Sequence, residues 1–423
     1  MAREPGANRI QGAKPVLFYG FIIVILSFCI LFVTYGLRFS YGVFFKPMSS
    51  ELGWSNATTS LVYSISMIME GLFNIFLGRV IDRYGPRLLV TISGILVAAG
   101  YCLMPTVSST WQFFVYYSAL VGIGMGGLFA PIITIIPRWF TTMRNLMTGL
   151  VISSVGIGIL VVSPVANLLI MRYDWRATFL IFGVAILLIT TICAQFLKRD
   201  PSTLGLVPYG EDDNSPKNNL AAIQGSSLKE AIHTYQFWFA FLMLFGYGFC
   251  SNSVSIHLVP DAMKLGISAT TAATILAALG GVQIAGRIGL GLAADKVGNR
   301  IMFVLGFALF TALTFWLPAI NTTLQFFVFA GIFGLAQGGM ASSQSSIVAG
   351  LFGLKSLGLI FGACGFGFTL GAALGPYVTG YVVDISGSYH LAFITSAVVS
   401  LATLVITLLL KPLKNSPPRK IPL

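Results

Sequence analysis

Twelve apolar stretches dominate the sequence, near residues 17–44, 58–80, 88–106, 112–137, 146–170, 177–197, 236–259, 269–293, 301–318, 323–349, 356–382 and 389–411. At 1.5 Å of rise per residue, about twenty helical residues cross the roughly 30 Å hydrocarbon core of a bilayer. In that core every backbone N–H and C=O needs a partner, and an isolated apolar run can supply its own only as a helix. The charged fraction points the same way. It is 9% of the residues, against about 25% in a soluble domain, too little to cover a surface facing water. The sequence therefore predicts an all-α, multi-pass membrane protein and excludes soluble enzymes and nucleic-acid binders. The five cysteines (Cys29, Cys102, Cys193, Cys250, Cys364) fall inside apolar stretches with no CxxC or metal-ligand spacing. They read as small hydrophobes, and no metal is expected. The first apolar run has no A-x-A cleavage pattern and reads as a retained helix.

The segments split six and six around a polar stretch, 198–234, that contains Glu211-Asp212-Asp213-Asn214-Ser215-Pro216. Low hydrophobicity with Pro, Asn and charge marks it as a flexible linker. The predicted organisation is an N-terminal six-helix bundle (1–197), a linker (198–234) and a C-terminal six-helix bundle (235–423). With the N-terminus in the cytoplasm, nineteen of the 25 Lys and Arg fall on the cytoplasmic side. Only Lys46, Arg172, Arg176 and Lys264 fall outside, while Arg38 and Arg287 lie within segments. That asymmetry predicts a cell (inner) membrane protein with both termini cytoplasmic, and the net charge of +12 becomes a topology signal.

The halves repeat. Gly78-Arg79-Val80-Ile81-Asp82-Arg83-Tyr84-Gly85-Pro86-Arg87 follows segment 2, and Gly291-Leu292-Ala293-Ala294-Asp295-Lys296-Val297-Gly298-Asn299-Arg300 follows segment 8. Both read G-x-x-x-D-x-x-G-x-R at an offset of 213 residues. The same offset carries Gly126 to Gly339, Gly149 to Gly362, Gly158 to Gly371 and Trp139 to Phe352. A ten-residue charged motif recurring in register with further glycines indicates duplication.

Two six-helix halves with this motif in the 2–3 and 8–9 loops resemble the major facilitator superfamily. The resemblance implies twelve transmembrane helices in two pseudo-symmetric bundles that rock around a central cavity. It also implies that Asp82 latches onto helix 11 and Asp295 onto helix 5, each carboxylate at a helix N-terminus where the dipole favours it. Gly78, Gly85, Gly291 and Gly298 allow close approach and tight turns. Arg87, Arg144 and Arg300 complete the charged loops. Charges that merely stop translocation are the plainer alternative.

Further local sequences resemble the monocarboxylate transporters and the related oxalate:formate antiporters, in their bacterial branch. They are Pro137–Leu146 before a Gly/Ser-rich segment 5, Ser40–Pro47 closing segment 1 and His257-Leu258-Val259-Pro260 closing segment 7. Arg287 lies eight residues before Asp295, about 12 Å into the core, where a charge needs water, a partner or a ligand. The resemblance implies that this Arg receives the substrate carboxylate. A structural ion pair is the alternative, with Glu70 or Asp384 as the available acids. Oxalate carriers of the family place a second cation, a Lys, on helix 11. Cys364 stands there in this chain, which favours a monoanion. Arg38 reads either as a gate or anion attractor near the outer mouth, or as a snorkelling interfacial Arg.

Animal monocarboxylate transporters carry an Asp one turn before the helix-8 Arg, where this chain has Gln283. The 213 offset maps Gln283 to Glu70 and Arg287 to Asn74, so the acid is transferred to helix 2. Glu70 becomes the candidate for proton coupling with Arg287, or else packs neutral or pairs with a cytoplasmic Arg. His257 and Asp261 are weaker proton candidates, and Tyr35 and Tyr117 join Arg287, Gln283 and Cys364 as candidate cavity residues. The expected function is proton-coupled symport of a small monocarboxylate such as L-lactate or pyruvate by alternating access. The alternative is an organic-anion exchanger of the oxalate:formate type. No enzyme activity and no cofactor beyond the coupling proton are expected, and the partners are substrate, proton and lipid, for a monomer that does not bind nucleic acid.

Overall fold

The computed structural model describes residues 18–54, 56–210 and 225–410. The side chains of a few residues inside helices, Asp82 and Gly78 of the first loop motif among them, lie outside the described residues. Twelve long helices follow the apolar stretches: α1 Tyr19–Phe39, α2 Asn56–Tyr84, α3 Pro86–Leu103, α4 Thr110–Trp139, α5 Arg144–Tyr173 and α6 Trp175–Phe196. After the linker come α7 Tyr235–Lys264, α8 Ala269–Val297, α9 Asn299–Trp316, α10 Thr323–Phe352, α11 Leu357–Ser386 and α12 Tyr389–Leu409. Eleven hold an apolar window long enough to cross a membrane. The exception, α2, has 29 residues, but its apolar stretch is only Leu61–Leu77, within which Ser64, Ser66, Glu70 and Asn74 lower the hydropathy.

Three local expectations give way to the structure. Segment 1 does not close at Ser40–Pro47: the chain breaks at Ser40 and resumes as a short helix, Tyr41–Leu52. The Ser40 hydroxyl hydrogen-bonds the Gly36 carbonyl at 2.6 Å and lies 2.7 Å from Ser163 Oγ on α5, pinning the break against a neighbour. Segment 7 does not close at Pro260, because α7 continues one turn further to Lys264. The linker is not flexible throughout. Pro201–Leu204 and Leu228–Ile232 are short helices. Tyr209 N donates to the Trp139 carbonyl and Ser226 N to the Phe352 carbonyl, each at 2.9 Å. Trp139 and Phe352 are 213 residues apart, so the two ends of the linker dock on equivalent loops of the two halves.

Packing follows the repeat. In the first half α1 lies on α5, α2 on α4 and α3 on α6, and in the second α7 lies on α11, α8 on α10 and α9 on α12. Glycines set the closest approaches. A methyl at Gly158 would meet the Phe32 carbonyl, and one at Gly371 would meet the Phe245 carbonyl, again 213 residues on. Gly126 packs on Glu70 and Asn74, whereas Gly338, not the expected Gly339, packs on their equivalents Gln283 and Arg287. Small residues at such crossings let helix backbones approach in lipid, where apolar burial supplies no drive for association.

The halves meet through α2 with α11 and α5 with α8. Named contacts between them run from Gly71 with Thr369 and Gly156 with Ile284 toward the end that carries the linker. Gly149 abuts the Arg287 carbonyl, and its equivalent Gly362 abuts the Asn74 carbonyl. This places a closed seam on the linker side of Arg287.

Candidate functional site

The linker-side seam is latched by Asp295. Its Oδ1 accepts the Asn145 backbone N–H at 2.9 Å and Asn145 Nδ2 at 3.0 Å, and Oδ2 accepts the Leu146 N–H at 3.1 Å. These are first-turn N–H groups of α5, which have no partner inside the helix, and the dipole there favours an anion. Gly291 lets the helices close to this distance: a methyl on it would lie 2.9 Å from the Asn145 carbonyl. Arg144 donates to the Phe140 carbonyl beside the latch. Gly85 and Gly298, at φ of 82° and 102°, make the turns into α3 and α9. The arginines that follow tie each loop to its own half. Arg87 Nε donates to Gln195 Oε1 at 2.8 Å, and Arg300 reaches the Thr407 and Leu408 carbonyls at the end of α12.

Arg287 lies on α8 at this seam and is 9% exposed. One guanidinium nitrogen, Nη1, donates to the Ile152 carbonyl of α5 at 2.9 Å, while Nε has no hydrogen-bond partner. Among the described residues no carboxylate pairs with it. Tyr247 of α7 is its electrostatic neighbour and donates its hydroxyl to the Gln337 carbonyl at 2.9 Å. A buried cation with an open hydrogen-bonding edge is costly unless it faces water or receives an anion.

The other intramembrane arginine is in a different situation. Arg38 is fully buried, neither at the outer mouth nor snorkelling. Its Nη2 lies 2.7 Å from Glu70 Oε2 and 3.4 Å from Ser66 Oγ. Glu70 Oε1 accepts the Tyr35 hydroxyl at 2.7 Å, so both carboxylate oxygens are engaged. Glu70 thus pairs with a cation of its own bundle and not with one of the cytoplasmic arginines. Tyr41, Tyr63, Tyr101 and Tyr117 pack around the pair, with ring centroids 4.8 Å apart for Tyr41 and Tyr117 and 5.0 Å for Tyr41 and Tyr63. The Tyr63 ring centre is 5.8 Å from the Arg38 guanidinium carbon. Tyr117 lies in a π-helical stretch of α4, Phe114–Val121, whose wider turn shifts the register of the side chains that follow.

The structure therefore brings Tyr35 and Glu70 together, sets Tyr117 in the adjoining tyrosine cluster and leaves Arg287 separate. Gln283 is half-buried one turn before Arg287. Cys364 is 0% and Tyr117 1% exposed, so in this conformation neither presents surface to a solute. His257 Nε2 donates to the Pro376 carbonyl at 3.0 Å. Asp261 lines a separate cavity of about 300 Å³ with Lys264, Tyr389 and His390 at the end of the molecule opposite the linker. Sequence reasoning missed the Arg38–Glu70 pair and the polar atoms of Gln337. The available signal for the pair was two opposite charges in consecutive apolar segments.

The description Major Facilitator Superfamily belongs to the family model that matches residues 27–260 and 254–422. Monocarboxylate transporter 11 of Homo sapiens is 25% identical over 389 residues, covering 89% of this chain and 80% of its own length. Monocarboxylate transporter 13 of Rattus norvegicus is 26% identical over 395 residues, covering 91% and 87%. A solved transporter, FucP in its outward conformation, shares the fold with a TM-score of 0.71 at 14% identity, over 93% of this chain and 100% of that one.

Proposed function

We propose a specific carrier activity on one premise: the chain belongs to the Major Facilitator Superfamily, and its fold and relatives are those of transporters, not enzymes. The activity is symport of a proton with a small monocarboxylate of the L-lactate or pyruvate type, by alternating access, with the linker side in the cytoplasm. The observation that carries this reading is the contrast between two buried arginines. Arg38 is neutralised by Glu70 at 2.7 Å, whereas Arg287 has no acidic partner among the described residues and an open Nε. One uncompensated cation matches one carboxylate. The relatives named monocarboxylate transporters support the same substrate class.

Charge accounting gives the coupling. The empty site carries Arg287 as a lone cation and Arg38–Glu70 as a neutral pair, a net charge of +1. A carboxylate on Arg287 brings the total to zero, and a proton on Glu70 dissolves the pair's charge match and restores +1. Empty and fully loaded carriers then cross the membrane with equal charge, so membrane potential favours neither, and transport follows the proton and substrate gradients alone. The proton bound at Glu70 also releases Tyr35 and Arg38, whose helices α1 and α2 flank the cavity.

A second reading rests on the same pair. With both Glu70 oxygens engaged, the acid serves as a fixed structural counter-charge, and the protein exchanges organic anions without a proton. Uptake of labelled L-lactate into proteoliposomes under an inside-alkaline gradient separates the two. Symport predicts accumulation that a protonophore abolishes, that Arg287→Ala removes and that Glu70→Gln uncouples from pH. Absence of net uptake, together with counterflow against internal formate or oxalate, establishes the exchanger.

A further inference from the structure

We infer that Gln337 determines substrate specificity by accepting a hydrogen bond from a hydroxyl on the carbon next to the carboxylate, so that the carrier selects 2-hydroxy monocarboxylates over their unsubstituted analogues. This rests on the reading of Arg287 as the carboxylate receptor. Gln337 lies on α10, nine-tenths buried, and its Oε1 has no hydrogen-bond partner. A buried amide oxygen without a donor is destabilising, and native proteins keep few of them. Its surroundings place it at the Arg287 site. The Gln337 carbonyl accepts the Tyr247 hydroxyl, and Tyr247 is the electrostatic neighbour of Arg287. The next residue, Gly338, packs on the α8 backbone so closely that a methyl there would lie 2.7 Å from Arg287 N.

The chemistry of the guanidinium fixes how a carboxylate would arrive. Nη1 is occupied by the Ile152 carbonyl and Nε is free, so the two-toothed approach uses the Nε edge. A carboxylate held there carries its C2 substituent one bond further on, within the same pocket as the amide of Gln337. A 2-hydroxyl supplies the O–H that Gln337 Oε1 lacks. A plain alkyl group fills the space, leaves the acceptor unpaired and displaces any water that served it. Sites built to pair with a substrate hydroxyl reject the analogue lacking it far better than apolar pockets discriminate by size.

The test compares L-lactate with propionate, which differs by that hydroxyl alone, in proteoliposomes of the full chain. The wild type is expected to favour lactate by about tenfold or more in kcat/KM, a tenfold ratio being about 1.4 kcal/mol. Gln337→Leu should bring the ratio close to one through loss on lactate, with propionate uptake retained. Retained propionate uptake also shows that the variant is folded, and Gln337→Met serves as a second substitution without an acceptor. A wild-type ratio near one, or a ratio unchanged in both variants, overturns the inference while Arg287-dependent uptake leaves the monocarboxylate reading standing. Absence of any Arg287-dependent monocarboxylate uptake in the wild type overturns both.

Discussion

Replacing Asp295 with Asn tests whether the seam is a latch or only a contact. The carboxylate accepts three N–H groups at 2.9, 3.0 and 3.1 Å, two of them orphan backbone donors of α5. Asn keeps one acceptor oxygen and removes both the charge and the second acceptor. Hydrogen bonds to a charged group contribute about 1.5–3 kcal/mol each, and the charge–dipole part about 0.3–1 kcal/mol. A net loss of about 2–3 kcal/mol follows, which multiplies the population open on the linker side by about 30- to 150-fold. Ser342 reports that population: it is fully buried on α10, and its Cβ would lie 3.2 Å from a methyl on Gly149. With the five native cysteines replaced by alanine, Ser342→Cys should react with a water-soluble maleimide at a rate proportional to opening. The rate should rise by the stated factor in Asp295→Asn and stay constant in Asp384→Asn, at the far end of α11. A rise under twofold, or an equal rise in both variants, refutes the latch.

Three further outcomes follow from named contacts. Glu70→Leu or Arg38→Met alone leaves one buried charge unpaired and should cost about 3–5 kcal/mol, whereas the double variant recovers most of it; thermal unfolding in detergent that shows additive losses refutes the pairing. Gly298→Ala forces a methyl-bearing residue into φ 102°, ψ 145°, a region essentially reserved for Gly, and should destabilise by about 1–3 kcal/mol in the same assay. Glu51 holds its carboxyl below the usual range through the Trp175 indole N–H and then Arg176. It therefore adds stability above its unfolded value, and that stability is lost as pH falls through the lower folded value. At an exposed site the gain is under about 1 kcal/mol, so wild type should exceed Glu51→Gln slightly in unfolding temperature at pH 6, and the gap should close in acid.

The parts of the fold set by local rules were legible. Twelve apolar runs gave twelve helices, because hydrocarbon tolerates little else, and the paired loop motif located two turns whose positive φ angles require Gly. The 213-residue offset anticipated contacts as well as sequence, as Gly149 with Arg287 and Gly362 with Asn74 show. It slipped by one residue at Gly339, since a run of adjacent glycines, Gly338-Gly339, gives an alignment nothing to hold. The Arg38–Glu70 pair was missed for a different reason. Depth counted along one helix puts Arg38 near an interface, but the break at Ser40 and the short helix beyond it cover that end of α1. The linker ends were misjudged because polar composition reports poor burial and not backbone pairing, and Tyr209 and Ser226 pair through their backbones.

Symmetry and its violation together locate the function. Duplication built two scaffolds whose glycine crossings, loop turns and linker docking points correspond residue for residue, and these elements have to correspond if the halves are to rock against each other about a common axis. The corresponding pairs Asn74/Arg287 and Glu70/Gln283 break the rule, since each carries a charge in one half and an amide in the other. A charge at the same depth in both halves would place two like charges across one cavity, or a carboxylate beside each arginine that closes it to an anion. Here the acid faces Arg38 within its own bundle at 2.7 Å, and Arg287 keeps an unoccupied nitrogen. The cavity thus presents one cation to a solute and holds its only nearby described carboxylate one neutral pair away. Structural equivalence supplies the motion, and the two broken positions supply the charge that the motion carries across.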